Sequence, residues 1–161
     1  GRLAFLGTGD HGLEAVFRAA MARHPGKIAV AIGYDERLSH LLQGGADAIV
    51  IPSRFEPCGL TQMYGLTYGC VPIATRTGGL ADTIIDANEA AIEAGVATGF
   101  LFDSAAGDHL AKALQRAVDL YAQPGLWRTM QQQGMRSDFS WKKSGARYAE
   151  LYTRLINSRL P

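Results

Sequence analysis

The sequence predicts a doubly wound α/β fold, in which helices cover both faces of a parallel β-sheet. Two observations carry this prediction. Short apolar runs alternate with amphipathic segments up to residue 102, and these runs do not alternate with polar residues, which is typical of parallel strands buried on both faces. After residue 102 the pattern becomes purely helical, so we expect the fold to end in a helical segment.

Five strands and four helices follow from this pattern. Apolar runs predict strands at residues 3–6, 28–32, 48–51, 71–75 and 99–102. The amphipathic segments between them predict helices at residues 13–23, 37–43, 60–68 and 80–87. Each helix should connect its two strands as a right-handed crossover.

Three more helices are predicted in the C-terminal segment. The first follows Ser104 or Asp108 as its cap, and one apolar face contains Leu110, Leu114, Val118 and Tyr121. The second has Pro124 in its first turn and Gly134 just past its end. The third is capped by Ser140, and we expect its apolar stripe to pack rather than to bind a ligand: Trp141, Tyr148, Leu151, Tyr152 and Leu155.

Composition excludes several classes of protein. The 161 residues suffice for one domain, and 16 basic against 15 acidic residues leave a net charge of +1, with no basic surplus for nucleic acid. No apolar run is long enough to span a bilayer. Cys58 and Cys70 cannot build a disulfide framework, and the scattered histidines show no metal-type spacing. We therefore expect a cytoplasmic protein that contacts no nucleic acid, no membrane and no metal.

The motif "GTGDHG" at residues 7–12 has the spacing of a dinucleotide-binding fingerprint. It follows a predicted strand and precedes a predicted helix, so a NAD-binding module is one interpretation. Asp35 matches the acidic residue that such a module needs after its second strand, but no hydride-transfer site follows. We interpret Gly7, Gly9 and Gly12 as a tight turn between strand and helix.

The densest loop is "PSRFEPCGLTQMYG", which follows the third strand and opens a helix. Ligands of open α/β sheets bind beyond the carboxyl ends of the strands. Free amides of Gly59, Leu60 and Thr61 at the helix start suit a phosphate. Glu56 either accepts hydrogen bonds from sugar hydroxyls or forms an ion pair with Arg54 on a solvated loop. Both interpretations stay open at this point.

Three other positions also have alternative interpretations. Cys58 has no histidine near it in sequence, so we expect a small buried thiol rather than a nucleophile. Gly78 and Gly79 in "RTGGLADT" either admit close backbone approach to a ligand or form a simple turn. Tyr34 either stacks on a nucleobase or is an ordinary tyrosine at the end of a strand.

The chain from "GYDERLSHLL" through "PSRFEPCGLTQ" and "RTGGLADT" closely resembles the bacterial glycogen synthases and plant starch synthases. The resemblance extends from "LAFLGTGD" to "DFSWKKSGARYAELY" and so covers nearly the whole chain. It implies the Rossmann-like C-terminal lobe of a two-lobed, retaining glucosyltransferase. Such an enzyme moves glucose from ADP-glucose to the non-reducing end of an α-1,4-glucan, with no cofactor and no metal. A lobe of another retaining nucleotide-sugar transferase, of the sucrose or trehalose-phosphate type, is the alternative.

The resemblance also implies residue roles. Glu56 matches the catalytic acidic residue beside the reacting carbon of the donor glucose. Backbone at Cys58 and Gly59 lines the glucose, Leu60 and Thr61 give amides to the diphosphate, and Gly78 and Gly79 border the pocket. Tyr34 stacks on adenine. Related transferases carry a second Glu eight positions after the first, where this chain has Tyr64.

The start of the chain carries a further expectation. It begins with "GRLAFL" rather than Met, and a family stretch of the form "SRL…QKG", with an Arg and a Lys for the diphosphate, does not occur. We expect residues 1–161 to be a partial C-terminal domain without the first strand, the acceptor lobe or activity by itself. In the usual order 3-2-1-4-5-6 the first strand is central, so its absence exposes the edges of residues 3–6 and 48–51. We expect a rearranged sheet or a homodimer to close that gap.

Overall fold

The computed structural model describes residues 1–158. The elements confirm the predicted alternation of strands and helices, and all five predicted strands are found to within one residue. In chain order they are β1 (Leu3–Gly7), α1 (His11–Arg23), β2 (Ile28–Ile32), α2 (Glu36–Gly45), β3 (Ala48–Ile51), α3 (Thr61–Tyr68), β4 (Val71–Thr75), α4 (Gly78–Thr83), α5 (Glu89–Glu93), β5 (Phe100–Phe102), α6 (Gly107–Tyr121), α7 (Pro124–Arg136) and α8 (Trp141–Asn157).

The strands form two parallel sheets, in the orders β1-β2 and β3-β4-β5. Within residues 1–158, neither β1 nor β3 has a strand partner on its other side. Both open edges are those that the sequence predicts. The expected rearrangement of the sheet inside one chain is wrong, because β1 and β3 stay unpaired with each other.

The core lies on both sides of β4. Every residue of β4 is buried, as expected for a strand that is apolar on both faces. Val71 and Ile73 belong to a cluster that also holds Phe100 and Trp127, whose rings stack with centroids 6.4 Å apart. Ala74 belongs to a second cluster on the opposite face. We call residues 48–136, which contain both clusters, the central unit.

Residues 1–33, which we call the N-terminal unit, are much more exposed. No residue of α1 is buried, and its Leu13 and Val16 are 62% and 59% exposed. No residue of β1 or β2 is buried either. The rings of Phe5 and Phe17 stack with centroids 4.1 Å apart and join β1 to α1. The N-terminal unit therefore has local packing without a core of its own.

The helix predicted at residues 80–87 is wrong in its bounds. Helix α4 begins earlier, at Gly78, and ends at Thr83, and a separate short helix α5 follows. Between the two, Asp86 forms an isolated parallel bridge with Gly99, which holds the backbone extended beside β5. Asn88 then caps α5 by accepting a hydrogen bond from the Ala91 amide.

Helix α6 packs through a face that only partly overlaps the predicted one: Leu110 packs against the core and the Tyr121 ring lies edge-on to Trp127, but the fully buried residues are different ones. Its buried residues are Ala113, Ala117 and Leu120. Small alanines let the helix approach the sheet closely, while Leu114 and Val118 turn outward. Both predicted caps are wrong: Ala106 is the N-cap residue, and the Ser104 hydroxyl accepts a hydrogen bond from the Ala106 amide without capping the helix, while Asp108 lies inside it.

Helices α7 and α8 also differ from expectation. Pro124 begins α7 as predicted, but Gly134 lies inside the helix, where a Cβ would collide with Leu66. The apolar stripe of α8 does not pack in this chain, since all five of its predicted residues are exposed, Trp141 at 77%. No helix within residues 1–158 is long and apolar enough to cross a membrane.

Candidate functional site

The two motif loops lie side by side at one edge of the β3-β4-β5 sheet. The loop at residues 52–60 follows β3, and the loop at residues 76–77 follows β4. Because β3 and β4 are paired and parallel, their carboxyl ends meet at the same edge. The structure thus brings together the two motifs that the sequence separates by some twenty residues.

The two loops touch through their backbones. The Gly79 amide donates a hydrogen bond to the Glu56 carbonyl over 3.1 Å. A Cβ on Gly78 would fall on the Glu56 carbonyl oxygen, and one on Gly79 would fall on the Cys58 carbonyl oxygen. Gly78 also has φ = +43°, which side chains other than glycine rarely adopt. The two glycines are therefore required here for loop-to-loop contact.

Helix α3 starts directly after the first loop and points its amino end at this edge. Gly59 has φ = +73°, and Leu60 is the N-cap without any side-chain cap. In the part of the chain that the structure describes, the Leu60 and Thr61 amides donate to no protein acceptor. Unpaired amides and the helix dipole make this end favourable for an anion.

Glu56 is half-buried in the first loop, and its carboxylate is free. Across residues 1–158, the Glu56 side chain forms no ion pair or hydrogen bond, so the alternative pairing with Arg54 is not adopted. Arg54 is exposed. An unpaired carboxylate beside open amides can accept hydrogen bonds from the hydroxyl groups of a ligand.

The two cysteines have opposite environments. Cys58 is exposed, so the expected buried thiol is wrong at this position. The Pro57–Cys58 backbone packs against the two glycines of α4 and turns the thiol outward. Cys70 is buried at the start of β4, and burial, reinforced by the charge of Asp47, raises its pKa from 9.0 to about 11. The Cys70 thiol is therefore neutral at physiological pH.

Gln62 is a residue of this site that sequence reasoning missed. It is 0% exposed, and its Nε2 donates to the Cys58 carbonyl over 2.8 Å, with the Gly59 carbonyl 3.0 Å and the Thr83 hydroxyl 3.2 Å away. Its Oε1 is buried with no partner, which costs roughly 1–3 kcal/mol. Gln62 precedes Gly65 and Leu66 by three and four positions, so the three residues share one face of α3. Since Gly65 and Leu66 are buried, this spacing was the signal that Gln62 is buried too.

A second missed feature is a set of three ionic contacts behind the glycine loop, the longest of which joins Arg76 to Asp86 over 4.0 Å. Arg76 Nε donates to Asp103 Oδ1 over 3.0 Å and links the ends of β4 and β5. Arg116 Nη2 lies 3.2 Å from Asp86, whose other hydrogen bond comes from the Leu101 amide. The sequence offered one signal for the contact between Arg76 and Asp103, since each of them directly follows one of two neighbouring strands. These contacts hold the loop after β4.

Tyr34 and the glycine motif lie on the other sheet. Tyr34 follows β2 and is 89% exposed. In the glycine motif, the Gly9 amide donates to the Glu14 carboxylate, and Asp10 caps α1 by accepting from the Leu13 amide over 3.1 Å. A turn already occupied by two carboxylates repels a phosphate, which favours the structural interpretation of the motif.

Two further observations complete the geometry. The Tyr64 ring lies edge-on to His40 with centroids 4.9 Å apart, on the side of α3 that faces α2. No group of three or more His, Cys, Asp or Glu side chains within residues 1–158 is arranged to hold a metal ion.

Comparison with known families gives a match to the model described as glycosyl transferases group 1 over residues 2–133. The glycogen synthase of Novosphingobium aromaticivorans is 62% identical over 156 residues, covering 97% of this chain and 32% of that protein. The glycogen synthase of Mesorhizobium japonicum is also 62% identical, over 99% of this chain and 33% of that protein. The chain thus spans about a third of the length of these curated relatives.

Solved structures give the same grouping. The catalytic domain of starch synthase IV from Arabidopsis thaliana, bound to ADP and acarbose, matches with a TM-score of 0.83 and 35% identity over 98% of this chain and 33% of that one. Sucrose-phosphate synthase from Thermosynechococcus elongatus matches with a TM-score of 0.67 and 24% identity, over 98% of this chain and 39% of that one, a likeness of fold. Both matches agree with the predicted α/β lobe.

Proposed function

Because the chain belongs to the group 1 glycosyl transferases, we propose that it is the donor-binding lobe of a glycogen (starch) synthase. The complete enzyme transfers glucose from ADP-glucose to the non-reducing end of an α-1,4-glucan, with retention. The observation that carries this proposal is the backbone contact between the loops of Glu56 and Gly79 at the carboxyl edge of the sheet. Identity of 62% to two glycogen synthases supports the choice of donor.

Each residue of the site has a role in this proposal. Glu56 accepts hydrogen bonds from the donor glucose next to the reacting carbon, and its free, half-buried carboxylate supports that role. The backbone of Cys58 and Gly59 lines the sugar, with Gly78 and Gly79 at the border of the pocket. The amides of Leu60 and Thr61 bind the diphosphate, as their lack of protein acceptors supports.

The adenine lies against Tyr34 in this proposal. The exposed ring of Tyr34 follows β2 and is free to stack. The ring thus belongs to the N-terminal unit, whereas the sugar and phosphate contacts belong to the central unit. The donor would therefore join two parts of the chain that hardly pack against each other.

The chemistry is electrostatic and positional. The bond between the anomeric carbon and the diphosphate oxygen breaks, and ADP leaves with the electron pair. The acceptor hydroxyl forms the new bond to that carbon and releases its proton. Glu56 stabilises positive charge developing on the sugar, and the open end of α3 stabilises negative charge on the leaving diphosphate. No metal or cofactor takes part in the proposed reaction, so activity should survive chelation of divalent cations.

The remaining partners belong to the same proposal. The glucan acceptor binds the lobe that this chain does not include, so residues 1–161 alone do not transfer glucose. The isolated chain forms a homodimer in this proposal, with a second copy pairing with the edges of β1 and β3, and the lack of a strand partner on those edges within residues 1–158 supports it. Sedimentation equilibrium tests this pairing through a doubled mass. A cytoplasmic location, as expected from the sequence, is part of this proposal.

Donor selectivity tests the proposed function. In a chimera, this chain replaces the matching third of the Novosphingobium aromaticivorans glycogen synthase. Calorimetry should give binding of ADP-glucose at least about tenfold tighter than that of UDP-glucose. Equal affinity for both would favour a transferase of the sucrose or trehalose-phosphate type. A change in NADH fluorescence on mixing, without binding of ADP-glucose, would favour the NAD-binding module.

A further inference from the structure

Gln62 connects two loops without reaching the surface. Its Nε2 lies within hydrogen-bond distance of the Cys58 and Gly59 carbonyls in the loop after β3, at 2.8 and 3.0 Å. The same nitrogen lies 3.2 Å from the hydroxyl of Thr83, at the end of α4. One amide group therefore bonds to the loop of one motif and to the helix of the other.

The hydrogen bonds continue from Thr83 back to the glycines. The Thr83 hydroxyl donates to the Gly79 carbonyl, while its oxygen accepts from Gln62. The Gly79 amide in turn donates to the Glu56 carbonyl. The bonds form a closed circuit through Gln62, Thr83, Gly79 and the loop that carries Glu56. A shift of any of these groups would therefore move Glu56 relative to the two glycines.

The contacts of Gln62 show that its amide donor is the part of the side chain that this site uses. Its Oε1 is buried without a partner, so the amide is costly to bury at this position. A methionine of similar length would fill the same space and bury no unpaired oxygen. Such an apolar side chain would leave the three acceptors around Nε2 without a donor.

We propose that Gln62 is a positioning residue for the donor glucose: through Cys58, Gly59 and Thr83 it fixes Glu56 against the Gly78–Gly79 turn. Because Gln62 is 0% exposed, it acts through the loops and does not touch the donor. This inference rests on the proposed function. It specifies that binding of the glucose moiety, more than binding of ADP, depends on Gln62.

The test compares Gln62→Met with Gln43→Met. Gln43 is a matched control, since it is also a buried glutamine with an unpartnered Oε1, but its Nε2 bonds to Ser39 within α2. In the 161-residue chain, Gln62→Met should accelerate amide hydrogen exchange in residues 55–60 and 76–80 together, by about tenfold, the scale of one lost hydrogen bond. Gln43→Met should leave both segments unchanged.

The ratio of the affinities for ADP-glucose and ADP distinguishes a positioning role from a merely structural one, which would not change that ratio. In the chimera, Gln62→Met should weaken ADP-glucose binding by about tenfold and leave ADP binding within about threefold of wild type. Should Gln62→Met not fold, Thr83→Val removes the hydroxyl that continues the circuit and should give the same selective loss, and Thr83→Ser should restore the affinity.

The outcomes separate the two proposals. If the unsubstituted chimera binds ADP but not ADP-glucose, the proposed function fails and the positioning role fails with it. If the unsubstituted chimera binds ADP-glucose and the ratio of the two affinities is unchanged in Gln62→Met and Thr83→Val, the positioning role alone is overturned. Equal weakening of both ligands in Gln62→Met is one form of an unchanged ratio; it indicates a general loss of structure and overturns the positioning role as well.

Discussion

The N-terminal unit and the central unit have the same β-α-β pattern but very different burial. In α1, Leu13 is 62% exposed, whereas in α3 of the central unit Leu66 is 2% exposed. The difference arises from what surrounds each helix. Helix α3 packs between α2, α7 and the sheet, whereas in the part of the chain that the structure describes α1 packs mainly against β2 and, through Phe17, against Phe5 of β1. Apolar sequence alone therefore does not produce a core, because a second layer must be present to cover it.

This difference divides the candidate site into two parts. Glu56, the α3 amides and the two glycines are held by the parallel pair of β3 with the buried β4 and by hydrogen bonds from Gln62. Tyr34 follows β2 in the N-terminal unit, with 89% of its surface exposed. We expect the sugar and diphosphate contacts to be preorganised, and the adenine contact to form mainly on binding.

The largest effect should come from truncating the same residue type in the two units. Leu66→Ala should destabilise the chain by about 2–5 kcal/mol, because it leaves a cavity beside Gly134 and the sheet. Leu13→Ala should change the stability by less than about 0.5 kcal/mol. Urea unfolding at low protein concentration measures both. A cost for Leu13→Ala equal to that of Leu66→Ala would mean that α1 is covered in solution.

Glu56→Ala tests the preorganised part of the site. In the chimera, turnover should fall by roughly two to three orders of magnitude, the scale of one lost transition-state contact. Glu93→Ala, at the exposed end of α5, is the control and should retain full turnover. Near-normal turnover of Glu56→Ala would return Glu56 to the role of a surface charge.

Tyr34→Ala tests the exposed part. Loss of stacking should weaken ADP binding by roughly 1–3 kcal/mol, as for base stacking in other proteins. Tyr34→Phe keeps the ring and should bind ADP as the wild type does. Calorimetry of the two variants decides between ring and hydroxyl, since equal losses in both would mean that the hydroxyl matters and that stacking is not the contact.

The smallest effect concerns pH and the buried thiol of Cys70. Its pKa is 9.0 when exposed and about 11 in the fold, so the folded state disfavours the thiolate. Below pH 9 the thiol is neutral in both states and the folded state keeps its full stability; as the pH rises from 9 to 11 the unfolded chain loses the proton first, and the folded state loses stability relative to it. Unfolding free energy should fall by about 1 kcal/mol by pH 10. Cys70→Ala should lack this component, and Cys58→Ala, at an exposed thiol, should keep it.

The strands and the motif loops were predictable from the sequence for different reasons. Apolar runs such as "VPIAT" identify buried strands directly, because a fully buried strand needs apolar residues on both faces. The contact between the loops of Glu56 and Gly79 follows from the parallel order of β3 and β4. The roles of individual residues came from the family resemblance, and the structure adds the proximity of Glu56 and Cys58 to the two glycines.

The remaining features depend on tertiary contacts that no local pattern encodes. Helix α6 has apolar residues on two faces, and only close packing against β5 selects the face of Ala113 and Ala117. The partners of Gln62 lie up to 21 positions away, at Thr83. Asp86 meets Arg116 across 30 positions. The exposed stripe of α8 is the opposite case, an amphipathic pattern that no element within residues 1–158 covers.

Glucan elongation by the chimera tests the central claim most directly. The account predicts that the chimera incorporates labelled glucose from ADP-glucose into an α-1,4-glucan, that UDP-glucose does not replace ADP-glucose, and that the 161-residue chain alone incorporates none. A folded chimera that binds glucan but transfers no glucose from ADP-glucose would contradict the account. So would elongation by the isolated chain.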